Sequence, residues 1–336
     1  MKAIKCVLFF ICLSTSINGF AQDPHFSQYF ASPVTLNPAN TGVFDGSLRV
    51  AANYRTQWWS VGAPFTTATV SLEGFMLRSK IPEKNKLAFS VMALSDASSA
   101  GALKSTYASG GIAYHMALDA DGEDIVGLGF NAVYAQKRLD YSKLTFASQF
   151  MSGGFNTNVA SGESFAGNNS YTNFNVGAMY QRNTETERAY FGIAAFNFLD
   201  EKLSFTKAGF VENVAMRYAI NGGYNKLLDN RNAFSVSSNF MYQAGSYDAI
   251  AGAAYSWFIP TENTYQTNYF TAGAWYRLQD AVIPYVGLSW GDLQIGLSYD
   301  IVTNGVKLNT PKNGSFELSL IFTGQRSEKG IKCPSF

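Results

Sequence analysis

The stretch Asp292–Val302, DLQIGLSYDIV, has two chemically different faces when it is drawn as an extended strand. Successive side chains of a strand point to opposite sides, so every second residue shares a face. One face holds Leu293, Ile295, Leu297, Tyr299 and Ile301, and the other holds Gln294, Gly296, Ser298 and Asp300. Such alternation predicts a β-strand with one apolar and one polar side.

The same alternation recurs along most of the chain after residue 46. Clear examples are NVAMRYAINGGY at 213–224, AFSVSSNFMYQ at 233–243 and SFELSLIF at 315–322. The pattern predicts about 14 strands. Their predicted ranges are 47–56, 66–77, 86–95, 104–116, 124–137, 170–182, 187–198, 211–224, 231–243, 247–258, 267–277, 281–289, 292–302 and 314–324.

The lengths of these strands favour a membrane barrel over a secreted β-sandwich, which is the alternative. A tilted strand needs about ten residues to cross a bilayer, whereas strands of globular proteins average about 5–6. The polar faces of two strands carry Gly127, Gly129, Asn131, Asn173, Asn175 and Gly177. Small and amide side chains suit a watery or plugged lumen better than a dry core. The sequence therefore predicts an all-β fold, a transmembrane antiparallel up-and-down barrel over residues 47–324.

Lipid contact gives a further expectation for single residues. Arginine at Leu297 should impair membrane insertion, whereas arginine at Ser298 should be tolerated in a wet lumen. Aromatic residues near strand ends are expected to form an interfacial girdle. The tryptophans assigned to it are Trp58, Trp59, Trp257, Trp275 and Trp290.

The overall composition excludes two broad classes of protein. Charged residues make up 15 % of the 336 residues, aromatic residues make up 15 %, and the formal net charge is +1. A nucleic-acid-binding protein needs a basic face, and a disordered chain is poor in aromatic residues. Neither description fits this sequence.

Residues 1–21 have the features of a secretory signal peptide. Lys2 and Lys5 precede the apolar run CVLFFICL, and the small residues Gly19 and Ala21 precede a predicted cut before Gln22. A membrane anchor is the alternative, but the run is shorter than the roughly 20 residues that a spanning helix needs. Cleavage would leave Cys333 as the lone cysteine, so the sequence predicts an exported protein without an internal disulfide.

The connecting segments predict the orientation of the barrel. Charges collect in RSKIPEKNK, LDADGED, QRNTETER and NKLLDNRN, and all four fall on the periplasmic side if the N-terminus is periplasmic. The irregular segment 138–169 then lies at the cell surface, in line with the longer outer loops of such barrels. An even number of strands returns the tail, 325–336, to the periplasm.

Motifs that could carry chemistry are scarce. His25 and His115 lack metal-ligand spacing, and GLGFNA at 127–132 matches a dinucleotide fingerprint inside a predicted strand, without the helix that the motif requires. GESFA at 162–166 lacks the strand–turn–helix of a nucleophile elbow, and a hydrolase with His115 as the base is a remote alternative. The sequence predicts no catalytic, cofactor or metal site, and no enzyme.

Four charged residues alternate onto the polar faces of the predicted strands. These lumen charges are Arg49, Arg55, Glu73 and Arg217. In one interpretation they pair with each other and with residues of a plug. In the other they line a path or hold the N-terminal segment.

Residues 22–46 form an irregular segment ahead of the strands. Pro24, Pro33 and Pro38 each remove a ladder donor, so the segment is not a long strand. Its apolar side chains need cover, and either the barrel interior or a periplasmic partner can provide it. We expect a plug in or under the periplasmic mouth. The residues expected to form the plug or to dock a partner are Asp23, Pro24, Phe26, Gln28, Tyr29, Asn37 and Pro38.

Two blocks near the start of the mature chain and two later motifs form a recognisable pattern. The later motifs are KLTFASQ at 143–149 and the ending KCPSF at 332–336. The positions in the two early blocks are Asp23, Pro24, Phe26, Ser27, Gln28, Tyr29, Asn37, Pro38, Ala39, Gly42, Arg55, Gln57, Trp58, Pro64 and Thr66. With these residues the sequence resembles the PorP/SprF family of the type IX secretion system.

This resemblance implies a non-enzymatic protein of the cell outer membrane. Members either belong to the secretion machine or help to export and hold one secreted partner, such as an adhesin, in gliding and surface-decorating bacteria. The implied partners are a secreted surface protein with a C-terminal secretion domain, periplasmic secretion components, or both, besides outer-membrane lipid and without nucleic acid. The segment NPANTG at 37–42 also resembles the N-terminal plug of fatty-acid-transporter barrels. A FadL-like channel for small hydrophobic solutes is therefore the alternative function.

Overall fold

Fourteen antiparallel strands of the described chain close into one barrel in the computed structural model. The structure describes residues 23–59, 63–156, 158–162, 168–204, 212–229, 231–260, 268–303 and 314–324. The predicted signal peptide, 1–21, and the predicted tail, 325–336 with Cys333, lie outside the described residues. The closed antiparallel barrel confirms the predicted fold class.

The barrel strands are numbered in chain order, and each pairs with its sequence neighbours. The last strand pairs with the first, from Leu48 opposite Gly324 to Gln57 opposite Ser315. The strands are β1 Leu48–Gln57, β2 Phe65–Met76, β3 Lys86–Ser98, β4 Leu103–Ala117, β5 Asp124–Leu139, β6 Asn168–Asn183, β7 Glu187–Phe196, β8 Arg217–Asp229, β9 Asn232–Gln243, β10 Ser246–Ile259, β11 Asn268–Arg277, β12 Ala281–Trp290, β13 Leu293–Val302 and β14 Ser315–Gly324.

Helical structure among the described residues is confined to short pieces. One α-helical turn, α1, covers Pro33–Leu36. The 3-10 turns are Tyr29–Ala31, Pro38–Asn40, Ser99–Gly101, Tyr141–Lys143 and Ala147–Gln149. A search of the described helices for one long and apolar enough to cross a membrane found none.

The alternating sequence places its apolar face outside and its polar face inside. In β13, Leu297 is 39 % exposed and Ser298 is 4 % exposed. The same division holds in β8, where Tyr218 and Ile220 are exposed and Asn221 is buried. An apolar outer surface belongs in lipid, and closure leaves no unpaired strand edge there.

The eighth strand is the one whose predicted range was most inaccurate. The pattern predicted 211–224, whereas β8 runs from Arg217 to Asp229. Val214 followed the apolar alternation, but it is buried with Ala135, Tyr171 and Leu203 instead of facing outward. At the other end the strand continues through Lys226, whose ammonium lies 2.9 Å from the Glu187 carboxylate on β7. A charge that was read as part of a turn is therefore part of an exposed cross-strand pair.

The two ends of the barrel carry connections of different length. The three longest connections, 140–167, 197–216 and 303–314, join strands at the end where β1 finishes, whereas the longest connections at the other end are 77–85 and 260–267. Short described hairpins at the end where β1 finishes pair Phe150–Met151 with Gly154–Phe155, and Lys202–Leu203 with Glu212–Asn213. Since the longer loops of outer-membrane barrels face outward, we name this the outer end and the end where β1 begins the periplasmic end.

Part of the inner face is apolar, which the alternation alone did not predict. Ile250, Trp275, Ile283 and Tyr285 are buried inside β10–β12, where they pack against Tyr29 and Leu36. Trp275 is 2 % exposed, so its assignment to the interfacial girdle was wrong. The other four girdle tryptophans are exposed or follow strand ends, with exposed fractions of 43 % for Trp58, 47 % for Trp59, 44 % for Trp257 and 61 % for Trp290.

Candidate functional site

Residues 23–46, which we name the luminal segment, run through the barrel from one end to the other. At the outer end the backbone N–H of Asp23 donates to Gln243 Oε1 over 2.8 Å, at the last residue of β9. At the periplasmic end Ser47 N–H donates to the Gly324 carbonyl over 3.0 Å. The sequence led us to expect a plug in or under the periplasmic mouth. The segment occupies that mouth with residues 41–46 and also reaches the opposite end.

The periplasmic end of the segment is held by two of the predicted lumen charges. Arg49 donates to Glu73 through Nε over 2.8 Å and through a terminal nitrogen over 2.9 Å, which is a bidentate pair. Glu73 Oε2 also accepts the backbone N–H of Gly42 over 3.0 Å, and Arg49 donates to the Val43 carbonyl over 3.1 Å. Gly42 has a φ of +83°, a conformation in which a side chain is strained. The pair therefore fixes the turn by which the segment leaves the lumen.

The middle of the segment is an Asn–Pro–Ala turn. Asn37 caps its own 3-10 turn, because its Oδ1 accepts the Ala39 N–H over 2.9 Å. Its Nδ2 donates to the carbonyls of Ala178 and Ile193, over 3.2 and 3.3 Å, on β6 and β7. Asn37 is completely buried. One side chain thus shapes the turn and attaches it to the wall.

Glycines of the wall make room for this turn, and we name Gly129, Gly177 and Gly192 the glycine saddle. A Cβ at Gly129 would overlap the carbonyl carbon of Pro38 and the nitrogen of Ala39, and one at Gly177 would overlap Asn37 Oδ1. The close approach of two backbones requires these residues to lack a side chain. The GLGFNA stretch at 127–132 is therefore explained by packing, not by dinucleotide binding.

His115 faces the segment just below the saddle. Its Nε2 lies 2.8 Å from the Thr41 carbonyl, and since a carbonyl only accepts, Nε2 carries the proton. His115 is 2 % exposed and lies on β4, whereas the described end of the GESFA stretch lies in the outer loop. Ser164 itself lies outside the described residues. His115 acts here as a positioning group for Thr41.

The outer part of the segment is held by carboxylates of β13 and β14. Glu317 accepts the backbone N–H groups of Ser27 and Gln28, over 2.8 and 3.0 Å, with its two oxygens. Ser27 Oγ donates to Asp300 Oδ2 over 2.8 Å. Glu317 and Asp300 are 0 % and 2 % exposed. These are charge-assisted bonds away from bulk water, the stronger class of hydrogen bond.

Gln28 fills the space next to this carboxylate. Its Nε2 donates to Ser298 Oγ and to the Glu317 carbonyl, both over 3.0 Å, and its Oε1 accepts from Ser319 Oγ over 2.6 Å. The lumen at Ser298 is therefore filled. An arginine at Ser298 would have to displace Gln28, so this position is not the open, wet space that the sequence led us to expect.

Two arginines complete this group of contacts, and we name Arg55, Arg277, Asp300 and Glu317 with their ion-pair partners the outer anchor. Arg55 donates to Asp300 Oδ2 over 3.0 Å and to the His25 carbonyl over 2.6 Å. Arg277 donates to the same Asp300 oxygen over 2.9 Å and to Ser27 Oγ over 2.6 Å. Arg55 thereby pairs with an acid of the barrel wall and also touches the segment directly.

The first described residues meet the fourth predicted lumen charge. Arg217 Nε lies 3.8 Å from Asp23 Oδ2, and its terminal nitrogen donates to the Thr35 carbonyl over 3.4 Å. Its guanidinium lies 4.0 Å from the centre of the Phe196 ring. Asn197 Nδ2 donates to Asp23 over 3.0 Å. The chain start is therefore fixed at the outer end of β7 and β8.

Apolar contacts join the outer and inner parts of the segment. Tyr29 is buried with Trp275 and Tyr285, and Phe30 packs against the same cluster. The Tyr29 hydroxyl donates to Ser237 Oγ over 2.7 Å. On the opposite wall Phe26 and Val34 pack against Met92 and Leu94. Pro24, the remaining predicted residue, is half-buried beside this second cluster.

Several residues of the outer anchor were not among the predicted site residues. Asp300 was placed on a polar face without being assigned a role. Glu317, Arg277 and Asp248, which lies 3.2 Å from Arg277, were not singled out. A usable signal existed, because an acidic residue on the inner face of a strand needs a cation or a donor nearby. What the sequence does not contain is which strands bring these charges together.

The family of the chain follows from its sequence profile. The profile of the type IX secretion system membrane protein PorP/SprF matches residues 18–322. This chain belongs to the PorP/SprF family. The match confirms the resemblance noted above and, with the apolar outer face of the barrel, places this PorP/SprF protein in the outer membrane as a component of type IX secretion.

Solved structures of other barrels are similar in shape at low sequence identity. A Pseudomonas aeruginosa FadL homologue is 12% identical, with a TM-score of 0.47 over 85% of this chain and 92% of that chain. The Pseudomonas putida toluene transporter TodX is 9% identical, with a TM-score of 0.44 over 90% and 94%. The translocator domain of the Neisseria meningitidis autotransporter NalP is 13% identical, with a TM-score of 0.42 over 84% and 90%. Likeness at these scores carries no information on function, and no curated protein matches this sequence.

Two cavities lined by described residues adjoin the luminal segment of this PorP/SprF protein. One of about 270 Å³, which we name the outer-mouth cavity, lies beside the charged anchor. Its lining includes His25, Arg55, Trp58, Tyr247, Asp248, Arg277, Asp280 and Asp300. The other has a volume of about 70 Å³ and lies beside Pro24, Val34, Met92 and Leu94. Among the described residues no group of three potential metal ligands is present.

Proposed function

We propose that this outer-membrane barrel assists type IX export and surface attachment of a secreted partner protein, such as an adhesin, without catalysing a reaction. The observation that carries the proposal is the filled lumen of a barrel whose family belongs to a secretion system. A barrel closed by its own chain from the periplasmic to the outer end is unsuited to passive diffusion. Such a barrel is suited to act as a fixed scaffold in the membrane.

The luminal segment is proposed to close the barrel rather than to dock a partner along its length. Among the residues predicted to form a plug or a docking surface, Phe26, Gln28, Tyr29, Asn37 and Pro38 are all buried against the wall. Buried side chains that already have partners offer little surface to a second protein. Asp23 and Pro24 are half-buried at the outer end, so a partner at the cell surface could reach only the start of the segment.

The described outer loop supports a partner site at the cell surface. Phe150, Met151 and Phe155 of its hairpin are 63 %, 50 % and 55 % exposed. Exposed apolar side chains grouped on one loop are typical of surfaces that bind another molecule. They lie at the end opposite to the periplasmic turns, where a secreted protein retained on the cell would meet the barrel.

The alternative, a FadL-like channel for small hydrophobic solutes, gains no support from the smaller cavity, the one beside Pro24, Val34, Met92 and Leu94. Its volume is about 70 Å³. An apolar cavity of about 150 Å³ is of the size that holds benzene, so this one is small for a monoaromatic solute. The outer-mouth cavity is larger, but charged residues line it.

The proposal is tested by deleting the gene and identifying the proteins that remain on the cell surface. We expect that a deletion strain loses one or a few secreted proteins from its surface-labelled proteome and accumulates them inside the cell. The protein purified from membranes should bring such a protein down with it. Uptake of small hydrophobic solutes should stay unchanged.

Two controls make this test decisive. Complementation with the wild-type chain should restore the surface proteins, and the Gly110→Ala variant should restore them equally, because a Cβ at Gly110 meets no atom within 4 Å. An unchanged surface proteome together with reduced solute uptake would replace the secretion role by the channel.

A further inference from the structure

The outer-mouth cavity has more negative than positive charge. Arg55 and Arg277 contribute two positive charges to its lining, and Asp248, Asp280 and Asp300 contribute three negative charges. Glu317 lies behind this lining, with its carboxylate 3.9 Å from Arg55 Nε. A concave site with surplus negative charge and low-dielectric walls concentrates cations.

The arginines of this cavity are already committed to acids of the barrel. Arg277 lies 2.9 Å from Asp300, 3.2 Å from Asp248 and 3.2 Å from Asp280. Arg55 lies 3.0 Å from Asp300 and donates to the His25 carbonyl. The Nε atoms of Arg55 and Arg277 have no hydrogen-bond acceptor, but Glu317 and Asp248 lie 3.9 and 3.2 Å from them, so an incoming anion would meet these carboxylates at the same guanidinium groups.

One acceptor in the lining of the cavity also lacks a partner. Asp300 is 2 % exposed and lines the cavity, yet its Oδ1 has no hydrogen-bond partner, whereas its Oδ2 receives both arginines. A buried carboxylate oxygen without a donor destabilises the site until a donor arrives. Trp58 and Tyr247 also line the cavity, and aromatic rings attract organic cations.

We propose that the outer-mouth cavity binds one guanidinium or ammonium group, presented from outside the cell as an arginine or lysine side chain of a protein. The volume of about 270 Å³ is just below the roughly 300 Å³ at which small-molecule pockets begin, which suits one long side chain. The cation would donate to Asp300 Oδ1 and meet the aromatic residues with its apolar stem. The inference concerns the chemistry of the ligand and does not depend on which secreted protein the barrel serves.

The binding test uses the full mature chain in detergent and doubly blocked tripeptides. Titration calorimetry with acetyl-Gly-Arg-Gly-amide should show saturable binding that weakens as salt is raised. Acetyl-Gly-Gln-Gly-amide and acetyl-Gly-Glu-Gly-amide, which are neutral and anionic, should bind at least ten times more weakly. Equal binding of the glutamine peptide, tighter binding of the glutamate peptide, or no saturable binding would overturn the proposal.

Variants test whether the peptide binds in this cavity. Asp280→Asn and Asp248→Asn should each lower the affinity for the arginine peptide by tenfold or more. Asp280 suits the test because its side chain is 42 % exposed, so the barrel should fold without its charge. The matched control is Asp292→Asn, in the turn between β12 and β13 at the periplasmic end, which should leave binding unchanged. A loss of binding only in the control would place the site elsewhere and overturn the proposal.

Two further arms identify the source of the cation. Methylguanidinium should bind at least ten times more weakly than the peptide, and equal affinity would mean that the site holds a free organic cation instead of a protein side chain. Lys307 and Lys312 belong to the connection between two cavity-lining residues, Val302 and Ser315. If only the Lys307→Gln, Lys312→Gln double variant binds the peptide, a lysine of this chain is the occupant, and binding of an outside protein is excluded.

Discussion

The two halves of the luminal segment are held in the barrel by different physical means. Residues 23–31, the outer half, are held by charge-assisted hydrogen bonds. Their charged partners are chiefly the carboxylates of Asp300 and Glu317 and the guanidinium groups of Arg55 and Arg277. Residues 37–46, the inner half, pack closely against the glycine saddle of the wall. The Arg49–Glu73 pair holds the turn at Gly42, where the segment leaves the lumen. The outer half is held mainly by charge, beside the apolar packing of Phe26 and Tyr29, and the inner half mainly by shape.

This difference predicts how each half can be released. Charge-assisted bonds lose strength when one charge is neutralised without any change in shape. A close backbone contact is insensitive to charge and is disturbed by one added methyl group. The halves should therefore open independently, and amide hydrogen exchange can follow each of them in the purified protein.

The largest effect is expected from removing both halves. A chain lacking residues 22–42 should still form the barrel, because the closing ladder between β1 and β14 involves none of them. Water should then fill the lumen, so the truncated protein should conduct ions in planar bilayers while the full chain stays nearly closed. The heat-dependent shift on gels that marks a folded barrel should persist.

A length-matched control separates the sequence of the segment from its bulk. Replacing residues 23–42 by a glycine–serine linker of equal length should also give a conducting barrel, because the linker lacks both kinds of anchor. A linker variant that does not conduct ions would mean that any chain of this length blocks the lumen. Degradation of the truncated chain before insertion would mean that the segment is needed for folding.

Neutralising Glu317 should release the outer half alone. In Glu317→Gln one of the two backbone N–H groups of Ser27 and Gln28 would face an amide NH₂ instead of an oxygen. Loss of a hydrogen bond to a charged group costs about 1.5–3 kcal/mol, so exchange of residues 23–31 should accelerate roughly 10- to 150-fold. Exchange of residues 37–46 should stay as it is.

The matched control for this variant is Glu187→Gln. Glu187 pairs with Lys226 on the exposed surface, where the side chains are 39% and 47% exposed. An exposed pair contributes about 0–1 kcal/mol, so neither half of the segment should change. If Glu317→Gln accelerates amide exchange equally in both halves, the segment opens as one cooperative unit, and the proposed difference between its halves is wrong.

The sequence predicted the wall of the molecule better than its contents. Alternation as regular as that of Leu293 to Ile301 reports which side of a strand meets lipid, so the barrel and most strand ranges were predictable. It fails where the lumen is itself apolar, as at Trp275, because a side chain facing buried aromatics follows the same rule as one facing lipid. Burial by lipid and burial by another segment leave the same pattern.

The contents of the lumen depend on pairings distant along the chain. Gln28 meets Ser298, and Asn37 meets the carbonyl groups of Ala178 and Ile193. A period of two residues contains no information on such partners. The prolines and aromatics of residues 22–46 did predict a covered, irregular segment, but its path to the outer end required the structure.

A methyl group in the glycine saddle should release the inner half alone. In Gly129→Ala the new Cβ would overlap the Pro38 backbone, so the turn must move away from β5. Overpacking of this kind costs about 1–3 kcal/mol, and exchange of residues 37–46 should accelerate roughly 5- to 150-fold. Gly110→Ala on β4 is the control. It should show no acceleration, since alanine is less unfavourable than glycine in a strand and nothing lies near its Cβ. Acceleration of residues 23–31 in Gly129→Ala would show that shape also holds the outer half.

The smallest effect is expected at Tyr29, close to the junction between the halves. Tyr29→Phe removes the hydroxyl that donates to Ser237 Oγ over 2.7 Å but keeps the ring that packs with Trp275 and Tyr285. Ser237 still accepts from Trp275 Nε1 over 3.2 Å, so no buried hydroxyl is left without a partner. A neutral hydrogen bond contributes about 0.5–1.5 kcal/mol, which predicts a roughly 2- to 10-fold acceleration at residues 29–32. Tyr218→Phe, at an outward side chain that is 51 % exposed, should cause none. An acceleration that spreads equally to residues 37–46 would mean that the Tyr29 hydroxyl couples the halves, and the two anchors would then have to be treated as one.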